Sequence, residues 1–321
     1  MAKIDIIIPV YNGEDFIGQT IKSIEENNFD DINIIIVDDG SIDGTELVIS
    51  TLKRKYDNIS YYKKENAGVS AARNFAIERS TSPYICFLDA DDLYHKDFLQ
   101  KMYGQIKSTN ADTCTCGYYK LIGQEIRPMK SAFSKKDFLV NYLISKNKLH
   151  ISSFLIKREV IFDNNIRFDE SSSYGEDIEF MTRVIKYSRE IEIVPEYLTY
   201  YRIDSTRPTL STFSLDKIKS DIDFSNRLIN DQKLNLSSRE KSAVNHKLVA
   251  NIVSKLLIGL DLGYDKEEIR DIYEANKSII GKNTMEFGLR SIKLILTINK
   301  LRKKLGISNL GLSKKGEVNG N

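Results

Sequence analysis

An apolar run that ends in a group of acidic residues has the clearest chemical meaning in this sequence. Residues 85–92 read Ile-Cys-Phe-Leu-Asp-Ala-Asp-Asp. Apolar residues at this density predict a buried strand, and open α/β sheets bind their ligands at the carboxyl ends of such strands. Asp89 and Asp91 on one bend of the backbone can bind a hard divalent cation and the diphosphate that it carries. A solvated acidic turn would account for an isolated Asp-x-Asp triplet.

Two further acidic turns accompany this one. The earlier turn spans residues 37–41, Val-Asp-Asp-Gly-Ser, where Asp39 could accept a hydrogen bond from a nucleobase edge. An Asp that caps the following helix is the alternative. The later turn is Gly175-Glu-Asp177, at the start of a predicted helix, where the helix dipole favours acidic residues in any case.

Residues 66–74, Asn-Ala-Gly-Val-Ser-Ala-Ala-Arg-Asn, lie between the first two acidic turns. A helix that begins after Gly68 would direct free backbone N–H groups at an anion in the cleft. Arg73, about one turn into this helix, could reach a base or a phosphate. The alternative is a surface ion pair between Arg73 and Glu78 or Glu65.

Strand and helix patterns alternate through the first half of the chain. This alternation predicts βαβ units and a mostly parallel, Rossmann-like sheet. Residues 112–201 are mixed, with predicted strands at 113–119, 151–156 and 192–194 and helices at 135–145 and 176–187. The earlier predicted strands are 4–10, 32–37, 59–62 and 84–88, and the earlier predicted helices are 16–24, 43–55 and 69–79.

The strand pattern disappears beyond residue 213. The remaining periodic segments, 215–229, 238–262, 266–275 and 285–305, all predict helices. We therefore expect an α/β domain over residues 1–212 and a helical C-terminal region over residues 213–321.

Composition excludes several classes of protein. The 321 residues include 47 basic and 45 acidic side chains, a balance that does not favour a nucleic-acid partner. Spanning a bilayer takes an apolar run of roughly 18 residues or more, and the sequence offers none. The chain starts without a charged-then-apolar leader, and its three cysteines (Cys86, Cys114 and Cys116) suit a reducing compartment. We expect buried core thiols and a cytoplasmic protein, at the inner face of the membrane if it contacts one.

Five motifs of the chain resemble, in order, the motif series of the family 2 glycosyltransferases, which are inverting nucleotide-sugar enzymes of the GT-A fold. The resemblance covers about residues 1–205. The motifs are Pro9-Val-Tyr-Asn12, Val37-Asp-Asp-Gly-Ser41, Asn66-x-Gly68 with Ala72-Arg-Asn74, Phe87-Leu-Asp-Ala-Asp-Asp92 and Tyr174-Gly-Glu-Asp177.

The resemblance implies a role for each matched position. Asp39 would read the base, usually uracil, and Asp91 with Asp89 would ligate Mn²⁺ or Mg²⁺. Asp177 would be the general base, with Glu176 beside it on the acceptor side. The donor-binding set that the resemblance implies is Pro9, Tyr11, Asp39, Asn66, Gly68, Arg73, Asp89, Ala90 and Asp91.

Sugar transfer needs the same minimum set on chemical grounds. A cation neutralises the charge of the diphosphate leaving group, and a remote carboxylate deprotonates the acceptor hydroxyl. We therefore expect metal-dependent, inverting transfer of a hexose or N-acetylhexosamine from a UDP-sugar. The acceptor would be a glycan hydroxyl, lipid- or protein-linked, in the synthesis of a surface polysaccharide or glycoprotein.

One position departs from the family pattern. The family often has Tyr-x-Arg-x-His after the helix of the general base, whereas this chain has Asp204 in place of the His. Asp204 could serve as an oxygen ligand, or the third protein ligand could be absent. We expect His95, His150 and His246 to be surface or packing residues.

Residues 287–316 contain eight Lys or Arg and no acidic residue. A helix of this composition could lie on an anionic membrane surface. The alternatives are a helix that packs on the transferase domain and a homodimer interface. The residues expected to share its apolar flank are Leu289, Ile292, Leu296, Ile298, Leu301 and Leu305.

Two other functions compete with sugar transfer. A haloacid dehalogenase-type phosphatase also places Asp-x-Asp after an apolar strand, but there the motif ends the first strand, whereas here it ends the fourth. A non-catalytic scaffold that binds sugar nucleotides is the second competitor. Retention of Asp177 argues against it, because donor binding alone does not require a general base.

Overall fold

The computed structural model describes residues 2–172, 174–203, 213–281 and 285–308. Within these ranges the chain forms one nine-stranded sheet, twelve α-helices and two short 3₁₀ turns, at Ile151–Ser153 and Met285–Phe287. The strands are β1 (Ile4–Val10), β2 (Ile32–Asp38), β3 (Ile59–Lys63), β4 (Tyr84–Phe87), β5 (Leu93–Tyr94), β6 (Thr113–Ile122), β7 (Glu125–Pro128), β8 (Phe154–Lys157) and β9 (Ile191–Ile203). The helices are α1 (Ile17–Glu25), α2 (Thr45–Lys53), α3 (Val69–Arg79), α4 (Phe98–Thr109), α5 (Phe138–Leu143), α6 (Arg158–Asp163), α7 (Glu176–Tyr187), α8 (Lys217–Asn230), α9 (Ser238–Asp261), α10 (Lys266–Ala275), α11 (Lys277–Ile280) and α12 (Leu289–Leu305).

Four parallel strands, in the order β3-β2-β1-β4, form one half of the sheet. Most of the motifs follow directly after these strands in the sequence. Val10 of β1 pairs with Asp38 of β2, which pairs with Lys63 of β3. Because these strands run in one direction, their carboxyl ends meet at one edge, called the carboxyl edge below. The predicted βαβ organisation is confirmed for this half.

The other half of the sheet is mixed. Strand β8 pairs antiparallel with both β4 and β6, and β6 pairs in parallel with β9. The short strands β5 and β7 add antiparallel pairs at β9 and β6. The predicted α/β fold with a helical C-terminal region is confirmed, with parallel pairing interrupted beyond β4.

The continuous isoleucine runs of β1 and β2 follow from burial of both faces of the sheet. Alternate side chains point to opposite faces. Ile7 and Ile35 pack in one apolar cluster with residues of α3 and α7, whereas Ile6 and Ile34 pack in another with residues of α1 and α4. All three cysteines are reduced and buried, as expected of core thiols.

The strand predicted at 113–119 extends to Ile122, and three other predicted segments between residues 112 and 201 differ more from the structure. The strand predicted at 151–156 starts with a 3₁₀ turn, because the Ser152 side chain hydrogen-bonds Asp92. The strand predicted at 192–194 is part of the 13-residue β9, in which the register shift opposite β6 accommodates Pro195. The helix predicted at 135–145 is only the six-residue α5.

The C-terminal helices contribute to two cores. Phe224 and Leu228 of α8 belong to the same apolar cluster as Ile7 of the sheet. The later part of α9 packs with α10 and α12 in a separate cluster that includes Leu256 and Ile298. The predicted domain boundary near residue 212 falls outside the described residues, and the division into two domains stays a prediction.

The predicted single apolar flank of α12 is wrong. A helix turns by about 100° per residue, so positions 292 and 298 lie far apart around it. Leu294, Ile298, Leu301 and Leu305 are buried in the core, with Leu294 6% exposed and the others fully buried. Leu289, Ile292 and Leu296 are exposed with Lys293, Lys300 and Lys303 on the opposite side, called the outer face of α12 below.

No helix within the described ranges combines the length and the apolar character that crossing a membrane requires.

Candidate active site

Asp39 follows β2 at the carboxyl edge and is 3% exposed. Its carboxylate accepts hydrogen bonds from the backbone N–H groups of Ala67 and Gly68, at 3.0 and 2.7 Å, and from the ammonium of Lys64 at 2.7 Å. A carboxylate has roughly four acceptor positions, so one remains on Oδ2. That position could accept a base N–H, and the base-reading role of Asp39 stays a prediction.

The neighbouring Asp38 has a structural role. Its buried carboxylate accepts hydrogen bonds from the Ser41 N–H at 2.7 Å and from the Tyr61 hydroxyl at 2.8 Å. Gly40, in the acidic turn after β2, has a φ of +81°, and a Cβ there would lie 3.0 Å from the Asn66 backbone nitrogen. Glycine therefore lets the loop of Asn66 and Gly68 pack against the acidic turn.

Tyr11 and Pro9, both expected in the nucleoside pocket, differ in accessibility. Tyr11 follows β1 and is 53% exposed, whereas Pro9 is buried inside the strand opposite Val37. Asn12 holds this loop to the next one by donating its N–H to the Ser41 hydroxyl at 2.9 Å. Of the two predicted residues, Tyr11 is the one with a ring free to stack on a base.

The turn after β4 presents its acids at different depths. Asp89 and Asp91 are half-buried and Asp92 is 1% exposed. The Thr20 hydroxyl of α1 lies 2.7 Å from the Ala90 carbonyl and 2.9 Å from the Asp92 carbonyl, which anchors the bend. The backbone N–H of Asp92 also donates to the Asp89 carbonyl at 3.0 Å. Asp89 and Asp91 are therefore the more accessible acids of this turn.

Arg73 joins two of the acidic turns. It is 3% exposed, and its guanidinium donates to Asp89 at 2.7 Å and to Glu176 at 3.1 Å. Burial would lower the pKa of Arg73, but the charges of the two carboxylates raise it instead. The alternative surface pair with Glu78 or Glu65 is wrong. Arg73 is instead a buried counterion between the predicted donor and acceptor sides.

Glu176 and Asp177 open helix α7. The N-cap residue, Gly175, has a φ of +82°, and a Cβ there would lie 2.8 Å from the ring of Phe224. Only glycine fits this position without a shift of the Phe224 ring. The first-turn N–H groups of α7 favour negative charge at Glu176 and Asp177.

The surroundings of Glu176 and Asp177, called the acid pair below, change the pKa values of both side chains. Burial raises the pKa of Asp177 above its ordinary value, against the opposing charge of Arg73. Burial and the charge of Asp177 raise the pKa of Glu176. Lys247 of α9 interacts electrostatically with Asp177, and burial lowers the pKa of this lysine. A carboxylate with a raised pKa is a better proton acceptor than an ordinary one.

His150 packs against the rings of Tyr118 and Tyr201, as expected of a packing residue, and it also lies next to two acids of the turn after β4. A ring nitrogen of His150 and carboxylate oxygens of Asp89 and Asp92 lie within 4.8 Å of one another. Asp92 also accepts hydrogen bonds from the Ser152 hydroxyl and from the Arg202 N–H, at 3.1 and 3.0 Å. His246 does pack, edge-on against a phenylalanine ring.

These donors are compatible with a divalent cation. Two carboxylates at the end of β4 supply the oxygen ligands that Mg²⁺ and Mn²⁺ prefer, and burial lowers the pKa of His150, which keeps its ring neutral as a ligand must be. The cluster contains Asp89 but not Asp91. The predicted ligand pair of Asp89 and Asp91 stays a prediction. Asp204, predicted as a replacement for the family His, lies outside the described residues.

Sequence reasoning missed the basic residues that face this edge from elsewhere. Lys64 carried no motif signal, although it adjoins the Asn66 motif. Lys217, Lys247 and Lys255 lie in C-terminal helices where no family motif was found, and their sequence pattern is that of ordinary amphipathic helices. Only the packing of α8 against α7, and of α9 against α8, brings these lysines near this edge.

A sheet with acidic turns at its carboxyl edge and a counterion between them is the arrangement of the GT-A class of transferases. Comparison with known families identifies the group within this class. Residues 5–162 match the family described as Glycosyl transferase family 2. These residues form a domain of this family, and the family resemblance of the motifs is confirmed.

Two curated relatives are named for teichoic acid biosynthesis and for poly(ribitol-phosphate). The minor teichoic acid biosynthesis protein GgaB of Bacillus subtilis is 30% identical over 208 residues, which cover 62% of this chain and 23% of GgaB. The poly(ribitol-phosphate) beta-glucosyltransferase of Bacillus spizizenii is 31% identical over 206 residues, which cover 63% of this chain and 32% of that protein. The match therefore spans a quarter to a third of the length of these relatives.

A solved structure confirms the predicted fold class. The crystal structure of S. aureus TarS 1-349 in complex with UDP-GlcNAc superimposes with a TM-score of 0.69 at 18% identity. The match covers 95% of this chain and 86% of that chain, so it includes the helical region as well as the sheet.

Proposed function

We propose that this protein transfers a sugar from a UDP-sugar to a hydroxyl of a cell-surface polymer, with inversion at the anomeric carbon. One observation carries the proposal: the buried guanidinium of Arg73 holds Asp89 of the donor side and Glu176 of the acceptor side in one site. Asp177 adjoins this ion pair with a raised pKa. A single cleft can therefore stabilise the charge of the donor and accept the proton of the acceptor hydroxyl.

Relatives support the choice of donor and acceptor. The TarS structure contains UDP-GlcNAc, and the two curated relatives are named for teichoic acid and for poly(ribitol-phosphate). Asp39 retains one acceptor position for the N–H of a uracil ring. We infer a hexose or N-acetylhexosamine as the sugar and a phosphate-containing wall polymer as the acceptor.

The proposed reaction is a single displacement. An acceptor hydroxyl gives its proton to Asp177 as its oxygen attacks the anomeric carbon, and the bond from that carbon to the diphosphate breaks. UDP leaves with the bonding electrons from the face opposite the attack, which inverts the configuration. Glu176 and Arg73 interact electrostatically with Asp177, and Arg73 adds positive charge next to Asp89.

A divalent cation would be held by Asp89 and Asp91, and Asp92 and His150 lie close to Asp89. When bound, such a cation neutralises charge on the diphosphate leaving group. The phosphatase alternative is contradicted by the family 2 assignment. The scaffold alternative is disfavoured by the position of Asp177 beside the buried ion pair.

Donor turnover tests the proposal. With Mn²⁺ present, we expect slow release of UDP from one sugar in a panel of UDP-, GDP-, CMP- and dTDP-sugars. Asp91→Ala should reduce this release by roughly 10²-fold or more, as loss of an electrostatic stabiliser does. Asp57→Ala should not, because this exposed acid precedes β3 at the opposite edge of the sheet. Release from a GDP-sugar only, or release unaffected by Asp91→Ala, would contradict the proposal.

We also infer that the outer face of α12 contacts an anionic membrane surface. Leu289 and Leu296 are 84% and 64% exposed, and lysines flank them on the same face. Apolar side chains between lysines suit the boundary between acyl chains and anionic headgroups. Such a contact would place the cleft near acceptors made at the inner face of the membrane.

Co-sedimentation with liposomes tests this contact. The wild-type protein should sediment with phosphatidylglycerol vesicles but not with phosphatidylcholine vesicles, and combined Ser substitution of Leu289, Ile292 and Leu296 should abolish binding. Leu47→Ser, at an exposed leucine of α2, is the control. If the triple variant still sediments but loses a dimeric mass in solution, the outer face is an interface between two copies and the membrane contact is wrong.

A further inference from the structure

Asn74 belongs to one of the sequence motifs, and the reaction proposed above gives it no role. It follows Arg73 on α3 and is 7% exposed. Its side-chain amide pairs with the backbone of Phe168 in both directions, because it accepts from the Phe168 N–H at 2.9 Å and donates to the Phe168 carbonyl at 2.9 Å. The same amide donates to the Glu170 carboxylate at 2.9 Å. These three hydrogen bonds, called the Asn74 clamp below, fix Phe168 against α3.

The Phe168 ring packs against the two elements that carry the acids of the site. It stacks on the ring of Phe180, with centroids 3.8 Å apart and an interplanar angle of 2°, and Phe180 lies one turn after Asp177 on α7. It also meets the ring of Phe87 edge-on, with centroids 5.4 Å apart. Phe87 is the last residue of β4, two positions before Asp89. One ring therefore contacts both the strand that leads to the donor side and the helix that begins with the acid pair.

Arg73 connects this ring to the ion pair of the site. Its guanidinium carbon lies 5.1 Å from the centroid of the Phe168 ring, while its nitrogens donate to Asp89 and Glu176. Consecutive residues of α3 thus hold the acids directly, through Arg73, and the ring between their elements, through Asn74. Because closely packed interiors transmit strain, a displacement of Phe168 would shift α7 relative to β4.

We propose that Asn74 is a positioning residue, which fixes Phe168 and thereby the separation between Asp89 and Asp177. This inference rests on the proposed function, in which an acceptor hydroxyl must reach the anomeric carbon and Asp177 at the same time. Transfer needs the reacting atoms about 3–3.5 Å apart, and a misplacement of about 1 Å can cost roughly 10²-fold in rate. Hydrolysis of the donor is less sensitive to this separation, because water is small and can attack from several positions.

Replacement of Asn74 by Ala tests the positioning role. We expect kcat for transfer from the UDP-sugar to a synthetic tri(ribitol phosphate) to fall by roughly 10²-fold. Release of UDP without an acceptor and the affinity for UDP should stay close to their wild-type values, so the ratio of transfer to hydrolysis should fall. Asp169 pairs with Arg227 of α8 at 2.9 Å, which keeps this segment attached when the clamp is removed.

Asn27→Ala is the matched control. Asn27 is 6% exposed and also forms side chain–backbone hydrogen bonds in both directions, to the Ser23 carbonyl at 2.9 Å and from the Leu99 N–H at 3.0 Å. It lies between α1 and β2, at the edge of the sheet opposite the acids. Loss of buried hydrogen bonds should destabilise both variants to a similar extent in urea unfolding. Only Asn74→Ala should lower the ratio of transfer to hydrolysis.

Phe168→Leu is a second variant, which keeps an apolar side chain but loses the ring stack with Phe180. It should lower the same ratio, and it decides the question if Asn74→Ala does not fold. Equal losses of transfer and hydrolysis in these variants, or an equal fall of the ratio in Asn27→Ala, would overturn the positioning role. Absence of UDP release or of transfer to the probe by the wild-type protein would instead overturn the proposed function, on which this inference rests.

Discussion

Replacement of Asp177 by Asn should abolish sugar transfer and leave the affinity for UDP close to the wild-type value. The amide keeps the shape of the side chain but cannot accept the proton of the acceptor hydroxyl. Loss of a general base costs about 10²- to 10⁴-fold in rate. The measurement is transfer to an acceptor at saturating donor, beside calorimetric titration with UDP.

The pH dependence of transfer distinguishes a base from a merely structural carboxylate. Because burial raises the pKa of Asp177, the rate should fall with decreasing pH at a higher pH than the ordinary Asp value of about 3.9. The residual rate of Asp177→Asn should lack this acid limb. Asp223→Asn, at an exposed position of α8, should keep the wild-type rate and profile. An acid limb that persists in Asp177→Asn would assign the base to another residue.

Elements with a complete local signal were predicted most accurately. The apolar run of β1, the alanine-rich α3 and the amphipathic α7 have the predicted bounds, because burial of both sheet faces and helical spacing are visible in the sequence itself. Strand β9 was predicted at a fraction of its length. Pro195 and the tyrosines that follow it do not indicate a strand in the sequence, because the pairing of this segment with β6 is decided by tertiary structure.

The candidate site shows the same limit. The motifs indicated which acids belong to the site, but not which groups neutralise them. Arg73 and Glu176 are 103 positions apart, and the Arg202 N–H reaches Asp92 over 110 positions. Such partners are fixed only when the sheet closes and α7 packs over it, so no spacing rule in the sequence could have predicted them.

Substitution of Arg73 by Met should destabilise the ligand-free protein more than any surface change. Removal of one partner from a buried ion pair costs about 3–5 kcal/mol in the free energy of unfolding, because the remaining charges lose their counterion. Here Asp89 and Glu176 both lose it. Urea unfolding in the presence of a chelator measures the change. Arg79→Met, on the same helix with its guanidinium over Phe75, should cost about 1 kcal/mol or less.

The pH dependence of this loss identifies its cause. In the wild type, burial would raise the pKa of Asp89, but the charge of Arg73 outweighs it and lowers the pKa, so Asp89 adds stability that is lost as the pH falls through its folded-state pKa. In Arg73→Met the main opposing charge is gone, so burial raises the pKa values of both acids against weaker opposing interactions. At neutral pH both acids are then buried and ionised without this counterion, so the loss of stability is largest there. The loss decreases as the two acids take up protons at lower pH.

The two stability curves should therefore converge between neutral pH and about pH 4, where the ordinary pKa values of Asp and Glu lie. A difference that stays constant over this range would mean that Arg73 contributes through packing and not through charge. Transfer activity should not recover where stability does, because protonated Asp89 and Glu176 can serve neither the donor nor the acceptor side. If the stabilities converge and transfer does not recover, the guanidinium of Arg73 has two functions. It stabilises the ligand-free site, and it keeps the acids of that site ionised.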